Sequence, residues 1–322
     1  MKQSARGALI TAAVLIILGL VLGGLGFWGM GFNLRALNTE DVISTSFEIT
    51  EPFRDISVAV GAADVYFLPS ADGVCRVECV DFASEVYAVQ AENGCLTVTK
   101  GGGPWYRNIR PFSIGEVHVT VFLPEADYAS LRITGDTGDL EIPKGFRFAR
   151  MEISTDTGDV ANYASVSGMM RIGTDTGDIR VEAVSAGGVE LSTSTGDVRM
   201  DSLLCEGELS IRVSTGDVEL KSISCRALRT EGNTGDLSLQ SAVAAETMTI
   251  ERTSGHVRFE QCDAAGILVW TDSGDVTGTL LTDKVFLTET NTGDVDVPRS
   301  AAGGTCEVIT TTGDISLRIE AQ

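Results

Sequence analysis

The chain of 322 residues carries 45 Asp and Glu against 24 Lys and Arg, which gives a formal net charge of −21 at pH 7. Surfaces that bind nucleic acid need clustered positive charge, so this balance argues against nucleic acid as a partner. The length is ample for a hydrophobic core.

The N-terminus predicts a membrane segment. After a short tail, residues 1–6, the 26 residues from 7 to 32 carry no charge. As a helix rising about 1.5 Å per residue, this run exceeds the roughly 30 Å hydrocarbon core of a bilayer, so we predict one transmembrane helix. A cleaved signal peptide is the alternative. Lys2 and Arg6 precede the run, which predicts a single-pass membrane protein with its N-terminus inside and its body outside the cell.

Residues 33–46 form a polar spacer, and residues 47–128 contain strand-like runs that follow no repeat. Turn signals such as Ala71-Asp72-Gly73 and Glu92-Asn93-Gly94 separate these runs. Residues 117–123 place an aliphatic side chain at every second position. This section therefore predicts several short β-strands.

One loop departs from that pattern, because it brings aromatic and basic side chains together in an acidic chain. The residues are Trp105, Tyr106, Arg107 and Arg110. They predict either a contact with a membrane interface or an acidic partner, or a loop that folds its aromatic rings over the end of the β section.

From residue 129 to 322 a three-residue word, Thr-Gly-Asp or a close variant, returns ten times at intervals of 19 or 20 residues. The last residues of the ten words are Asp139, Asp159, Asp178, Asp197, Asp217, Asp236, His256, Asp275, Asp294 and Asp314. A period this short indicates one small unit stacked on itself, which is a solenoid.

Each repeat reads as two strands joined by a turn. Apolar residues stand eight positions before and one position after the Asp, and polar residues such as Arg132 and Glu141 lie next to these apolar columns. Alternation with a period of two is typical of a strand with one buried face. The glycine supplies a positive φ in the turn, beside a residue such as Asp156 whose side chain can bond the turn backbone. We predict an all-β parallel β-helix of about ten rungs, and residues 47–128 as the N-terminal β cap that protects its first edge.

The apolar N-terminal run, the segment Val60-Gly61-Ala62-Ala63-Asp64-Val65 and the iterated Thr-Gly-Asp word together resemble the bacterial putative-adhesin β-strand-repeat family, a domain family of unknown function. The resemblance covers roughly residues 47–320. It implies a repeat of β-strands and a role in adhesion, and it brings no catalytic residues with it.

The stacked aspartates are a candidate cation site. Six of them, Asp139, Asp159, Asp178, Asp136, Asp156 and Asp175, line the first three turns. Carboxylate oxygens suit calcium, but these side chains also suit turns, in which they bond backbone amides and remain hydrated. We favour the turn role and predict no bound metal and no cofactor, with calcium as the alternative.

Catalytic patterns are not found in the sequence. The two histidines, His118 and His256, are far apart, and His256 takes the place of an Asp in one turn. Acid and base catalysis requires carboxylates in unequal environments, whereas these recur identically. Among the cysteines, Cys205 and Cys225 occupy the same position in neighbouring repeats, as small filler or as a disulfide.

The outward columns predict a binding surface near the C-terminus. Arg132, Glu152, Arg171 and Glu190 alternate in sign along one column, so neighbouring rungs attract each other. Later in the same face the residues become apolar, namely Leu268, Trp270, Leu287 and Ile309. An exposed apolar cluster that includes Trp is typical of a contact site. The alternative is that C-terminal loops or a second copy of the chain cover this face.

The last rung, with Ile315, Leu317 and Ile319, is predicted to expose its strand edge and to associate with another chain or end to end with a second copy. These features predict a membrane-anchored, non-enzymatic, adhesin-like binding scaffold at the cell envelope, with an envelope protein or glycan as partner. A polysaccharide-active β-helix enzyme and a regulatory protein that docks another membrane protein are the alternatives.

Overall fold

The computed structural model describes residues 2–29, 42–83, 87–101 and 116–320, and within the N-terminal helix the side chains of residues 14–25 and 28–29. Helix α1 spans Lys2–Gly29, and the large apolar side chains described in it are exposed. A search of the described residues finds no helix that combines the length and the apolar character needed to cross a bilayer. The structure therefore does not support the transmembrane helix expected at residues 7–32.

All other elements in the described ranges are strands of one 23-stranded sheet. The section before the repeats contains β1 (Val42–Ile49), β2 (Asp55–Ala59), β3 (Asp64–Pro69), β4 (Cys75–Phe82), β5 (Tyr87–Glu92), β6 (Cys95–Lys100) and β7 (His118–Leu123). The repeats contain β8 (Asp127–Thr137), β9 (Leu140–Ile142), β10 (Arg147–Thr157), β11 (Val160–Asn162), β12 (Ser165–Thr176), β13 (Ile179–Thr195), β14 (Val198–Cys205), β15 (Glu208–Thr215), β16 (Val218–Thr234), β17 (Leu237–Ser254), β18 (Val257–Ser273), β19 (Val276–Leu280), β20 (Lys284–Thr292), β21 (Val295–Asp296), β22 (Gly304–Thr312) and β23 (Ile315–Ile319).

The repeats stack as parallel rungs, which confirms the predicted β-solenoid of about ten turns. Each rung enters its Thr-Gly-Asp corner on one face and leaves it on another, and equivalent residues pair in register, as Met151 does with Leu131 and Met170. We call these the entry face and the exit face. The exit face bends again five residues after the corner, at Ala183 and its counterparts, where a residue other than glycine adopts a positive φ. This second bend is not among the features predicted from the sequence.

The core fills the inside of the rungs. The column eight residues before each corner and the column one residue after it are buried along most of the stack, which confirms the alternation read from the sequence. A third inward column lies four residues before the corner and holds mostly threonines. The hydroxyls of Thr174, Thr193 and Thr310 bond a corner-glycine carbonyl of the neighbouring rung at 3.1–3.3 Å. The corner is thus held from the inside as well as along the backbone.

The section before the repeats joins the stack directly. Strands β2 and β3 pair in parallel with β8 and β9, with Ile56 opposite Leu131 and Val65 opposite Leu140. Strands β6 and β7 continue one rung further. Strands β5, β4 and β1 then add antiparallel. The motif Val60 to Val65 is therefore a rung with a variant corner.

At the C-terminal end the rungs do not follow the order of the chain. Strands β22 and β23 pair on one side with β18 and β19, and on the other side with β20 and β21. The outermost rung is therefore β20 and β21. The rung of β22 and β23, which follows it in the chain, lies between it and the rung of β18 and β19. The ammonium of Lys284, buried at the start of β20, bonds the carboxylate of Asp263 on β18. The expectation that this rung is the terminal one is wrong, because Ile315 pairs with β19 on one side and with β21 on the other. Leu317 and Ile319 pair with β19 alone among the described residues.

Candidate functional site

The corners form a continuous ridge along the solenoid. In every described rung except those of His256 and Asp294, one carboxylate oxygen of the corner Asp accepts the backbone N–H of the corner residue in the next rung, as Asp159 does from Asp178 at 2.8 Å. The series begins at Asp64, which accepts from Asp139 at 2.9 Å. It ends at Asp294, which donates its own N–H to Asp314 at 2.8 Å. We call this series the aspartate ladder.

His256 fills its place in the ladder without a carboxylate. Its backbone N–H donates to Asp236 at 2.8 Å, and its ring Nδ1 accepts the N–H of Asp275 at 3.1 Å. Because a backbone N–H only donates, Nδ1 must carry a lone pair in this arrangement. The ladder thus needs an acceptor at each corner rather than a charge.

The structure supports the turn role of the ladder aspartates, which already use one oxygen each in these bonds. No group of His, Cys, Asp or Glu in the described ranges is arranged to hold a metal ion. The second line of aspartates differs from expectation. Asp136, Asp156 and Asp175 are exposed, and among the described hydrogen bonds none joins their side chains to the turn backbone. The neighbouring rung satisfies the turn amides instead.

Arg252 is the one large charged side chain buried in the third inward column, among the described residues. It is 1% exposed, and none of its three guanidinium nitrogens has a hydrogen-bond partner in the described part of the chain. Burial lowers the pKa of this guanidinium, while the carboxylates of Asp217 and Asp236 act in the opposite direction. The glycine at the same column one rung earlier, Gly232, leaves room, since a Cβ there would lie 2.1 Å from Nη1 of Arg252. Arg252 is not among the candidate residues predicted from the sequence, although its column otherwise holds Thr, Gly or Val.

The outward columns of the entry face confirm the expected ion pairs. Arg132 lies 3.6 Å from Glu152, and Arg171 lies 3.0 Å from Glu190, with the two arginines exposed and the two glutamates half-buried. Such exposed pairs each contribute at most about 1 kcal/mol. They keep this part of the face hydrated and polar.

Near the C-terminal end the same columns become apolar and remain exposed. Leu268 is 39% exposed, Trp270 is 41% exposed and Leu287 is 53% exposed. Because of the altered order of the rungs, Trp270 pairs directly with Ile309, whereas Glu307 lies between Leu268 and Leu287. We call Leu268, Trp270, Leu287 and the half-buried Ile309 the apolar patch. The structure therefore brings Trp270 and Ile309 closer than chain order would.

Carboxylates surround the apolar patch. Glu251 is the register partner of Trp270 on one side, and Glu289 is the register partner of Ile309 on the other. Glu251 is itself paired with Arg229 at 3.0 Å. The four predicted loop residues Trp105, Tyr106, Arg107 and Arg110 lie outside the described residues.

All seven cysteines are free. Cys205 and Cys225 are buried on the neighbouring strands β14 and β16, so they act as small filler in this structure. Burial raises the pKa of Cys225 to about 12, as it does for Cys75, Cys79 and Cys306. These thiols therefore remain protonated and unreactive at neutral pH.

Comparison with solved structures shows likeness of fold. A "putative lipid binding protein" from Parabacteroides distasonis is 16% identical, has a TM-score of 0.54, and the match covers 75% of this chain and 98% of that one. A "putative adhesin" from Bacteroides fragilis is 13% identical, with a TM-score of 0.40 and coverage of 88% and 98%. A "putative adhesin" from Parabacteroides distasonis is 11% identical, with a TM-score of 0.47 and coverage of 87% and 98%.

No curated protein matches the chain. A family model described as Toastrack DUF4097 matches residues 53–209 and 205–322, which is the whole solenoid together with most of the section before it. The chain therefore belongs to the Toastrack DUF4097 family, and the resemblance to a putative-adhesin family with β-strand repeats is confirmed.

Proposed function

We propose that the protein is a non-enzymatic binding scaffold of the cell surface, and that its solenoid presents the apolar patch to a partner protein. The observation that carries the proposal is the register of Trp270 with Ile309, beside the exposed Leu268, on a face whose earlier rungs carry ion pairs. Clustered apolar side chains around a Trp are typical of the centre of a protein contact.

The surroundings of the patch favour a partner of a particular charge. Glu289 and Glu307 lie within or beside the patch. A partner surface with an apolar centre and basic side chains at its rim would bury the apolar groups and meet these carboxylates. Membership of a family known for putative adhesins supports placement at the cell surface. The membrane helix expected at residues 7–32 is not part of the proposal, since no described helix could span a bilayer.

The enzymatic alternative finds less support. The ladder carboxylates other than that of Asp294 share one environment, because each accepts the backbone N–H of the next corner residue, as Asp159 and Asp197 both do. Acid and base roles at neutral pH need carboxylates whose environments separate their pKa values. A repeated structural role accounts for the ladder without catalysis.

The test is the double substitution Leu268→Ser with Trp270→Ser in the full chain. The matched control is Leu204→Ser with Val243→Ser, because these two apolar side chains are 58% and 40% exposed on the face that follows the second bend. Binding to an isolated cell-envelope fraction is measured by pull-down, and the fold is checked by circular dichroism. We expect the patch variant to lose most binding and the control to keep it. Equal binding by both variants, or equal loss in both, would contradict the proposal.

A further inference from the structure

The outermost rung, β20 and β21, is an incomplete copy of every rung before it. Each strand pairs on one side only in the described structure, with β22 and with β23. An unpaired strand edge presents backbone donors and acceptors that another strand can satisfy. The edge is therefore open at the C-terminal end of the solenoid.

The corner of this rung lacks three hydrogen bonds that the other rungs make. In the preceding corners the glycine N–H and the N–H after the Asp both donate to the next rung, as Gly313 does to Thr292 and Ile315 to Asp294. In the described structure Gly293 and Val295 find no such acceptor, and the carboxylate of Asp294 accepts no such N–H. Two donors and one acceptor thus point along the solenoid axis from a single corner.

The inward side chains of the same rung are also uncovered. Val295 is 45% exposed, whereas the equivalent Ile315 and Val276 are fully buried. Phe286 and Val297 are only partly buried. Together with residues 298–301 these side chains line a groove of about 730 Å³. The groove places the apolar side chains of Phe286, Val295 and Val297 next to an unpaired backbone edge and among polar groups.

The charge at this end is acidic. Glu289, Asp294 and Asp296 are all exposed, with Arg299 as the exposed cation of the groove. Arg318 lies 3.9 Å from Asp296 and is itself exposed. A basic segment would be attracted to this edge, and an acidic one would be repelled.

We propose that the edge of β20 and β21 binds an extended segment of a partner protein, which adds as a further parallel rung. Apolar side chains of the segment would face Phe286 and Val295, and basic side chains would alternate with them to meet Glu289 and Asp296. The carboxylate of Asp294 would accept a corner N–H of the segment. Backbone bonds supply affinity in such strand addition, and pockets for alternate side chains supply specificity. The proposal is separate from that for the apolar patch and can hold if the patch binds nothing.

A second copy of the chain fits this edge less well. Two such ends related by a two-fold axis would pair antiparallel, so the corner groups that await a parallel rung would stay unsatisfied. The same arrangement would bring two sets of acidic side chains together. The opposite end of the solenoid carries the antiparallel strands β1, β4 and β5, and its described residues form no matching corner.

The test uses a fluorescently labelled peptide in which valine and lysine alternate on both sides of a Thr-Gly-Asp corner. The matched control peptide carries glutamate in place of each lysine. Binding to the full chain is followed by fluorescence anisotropy. We expect the glutamate peptide to bind about tenfold more weakly or worse, because its charges oppose those of the edge.

Two variants locate the site. Val295→Pro removes an N–H that has no acceptor and leaves the bond from Ile315 to Asp294 intact, and it should weaken the lysine peptide about tenfold. If Val295→Pro alters the circular dichroism spectrum, Asp294→Asn with Asp296→Asn serves instead. Leu268→Ser with Trp270→Ser should leave peptide binding unchanged.

Equal affinity for the two peptides, or equal peptide binding by Val295→Pro and the unmodified chain, would overturn the proposal. Sedimentation of the full chain provides a second test of the proposal. A concentration-dependent dimer that Val295→Pro abolishes would assign the edge to a second copy of the chain.

Discussion

At the scale of single residues, the corner glycine is the most constrained position of each repeat. Gly177 has φ 149°, in a region that L side chains rarely adopt. A Cβ at this position would lie 2.1 Å from the carbonyl oxygen of Gly158 in the neighbouring rung. Both the backbone angle and the close approach of the rungs therefore require glycine.

We predict that Gly177→Val destabilises the protein by at least about 1–3 kcal/mol, the usual cost of a strained backbone angle. The contact with Gly158 adds to that cost. Thr176→Ser, one residue earlier, should be nearly silent, because Thr176 is exposed and its carbonyl, which serine retains, makes the inter-rung bond. The free energy of unfolding from urea titrations measures both. Similar values for the two variants would refute the corner geometry.

Arg252 illustrates the opposite case, in which a residue costs stability where it stands. A buried guanidinium without partners has lost its hydration and gained no hydrogen bond in return. We predict that Arg252→Met raises the free energy of unfolding by about 1–3 kcal/mol, because it keeps the apolar stem and removes the charge.

The control for this prediction is Arg258→Met, since Arg258 is exposed on the exit face. Its effect should stay within about 0.5 kcal/mol. A lower melting temperature for Arg252→Met than for the unmodified chain would show that the guanidinium has a stabilising partner in the folded protein.

At the scale of elements, the rungs are equivalent enough to exchange neighbours. Strands β20 and β22 carry the same columns, so either could stack on β18. The structure places β22 there, and β20 pairs only with β22 in the described residues. Amides in an edge strand open more readily than amides in a strand paired on both sides.

Hydrogen exchange tests this order. We predict that amides within residues 284–292 exchange faster than those within residues 304–312, although the latter lie nearer the end of the chain. Peptides from the two strands can be followed by mass spectrometry in one experiment. The reverse ranking would indicate that the rungs stack in the order of the chain.

At the scale of the whole molecule, the aspartate ladder and the net charge of −21 both produce repulsion between negative charges in the folded chain. Carboxylates repeat along one ridge at about 4.8 Å, the spacing between strands, and unit charges about 4 Å apart repel by about 1 kcal/mol in water. The hydrogen bonds from successive amides offset this repulsion, and dissolved salt screens it.

We therefore predict that sodium chloride raises the melting temperature modestly, and that calcium at matched ionic strength adds nothing further. The physical reason is that the ladder oxygens from Asp64 to Asp314 already accept backbone N–H groups. Melting curves with calcium, with magnesium and with a chelator provide the comparison. A shift with calcium beyond that of sodium would revive the calcium alternative for Asp139, Asp159 and Asp178.

The sequence by itself determined the internal structure of each rung, namely its strands and its corner. The 19- or 20-residue period, the apolar columns and the corner glycine are local features, because alternation and turn geometry act within a few residues. The outward position of Leu268 and Trp270 followed from the same alternation and is confirmed by their exposure. The fold class and the exposure of the apolar patch were therefore predictable.

Only the tertiary structure decided which rungs are neighbours. The corners at Asp275, Asp294 and Asp314 are evenly spaced in the sequence. This spacing does not show that β22 stacks directly on β18 and that β20, which comes earlier in the chain, lies outside β22. Asp64 likewise joins the ladder across 75 residues, and its corner lacks the Thr-Gly word. Pairing between strands that are distant in the chain depends on which unpaired strand edges meet during folding. These long-range contacts leave no signal in the local sequence pattern.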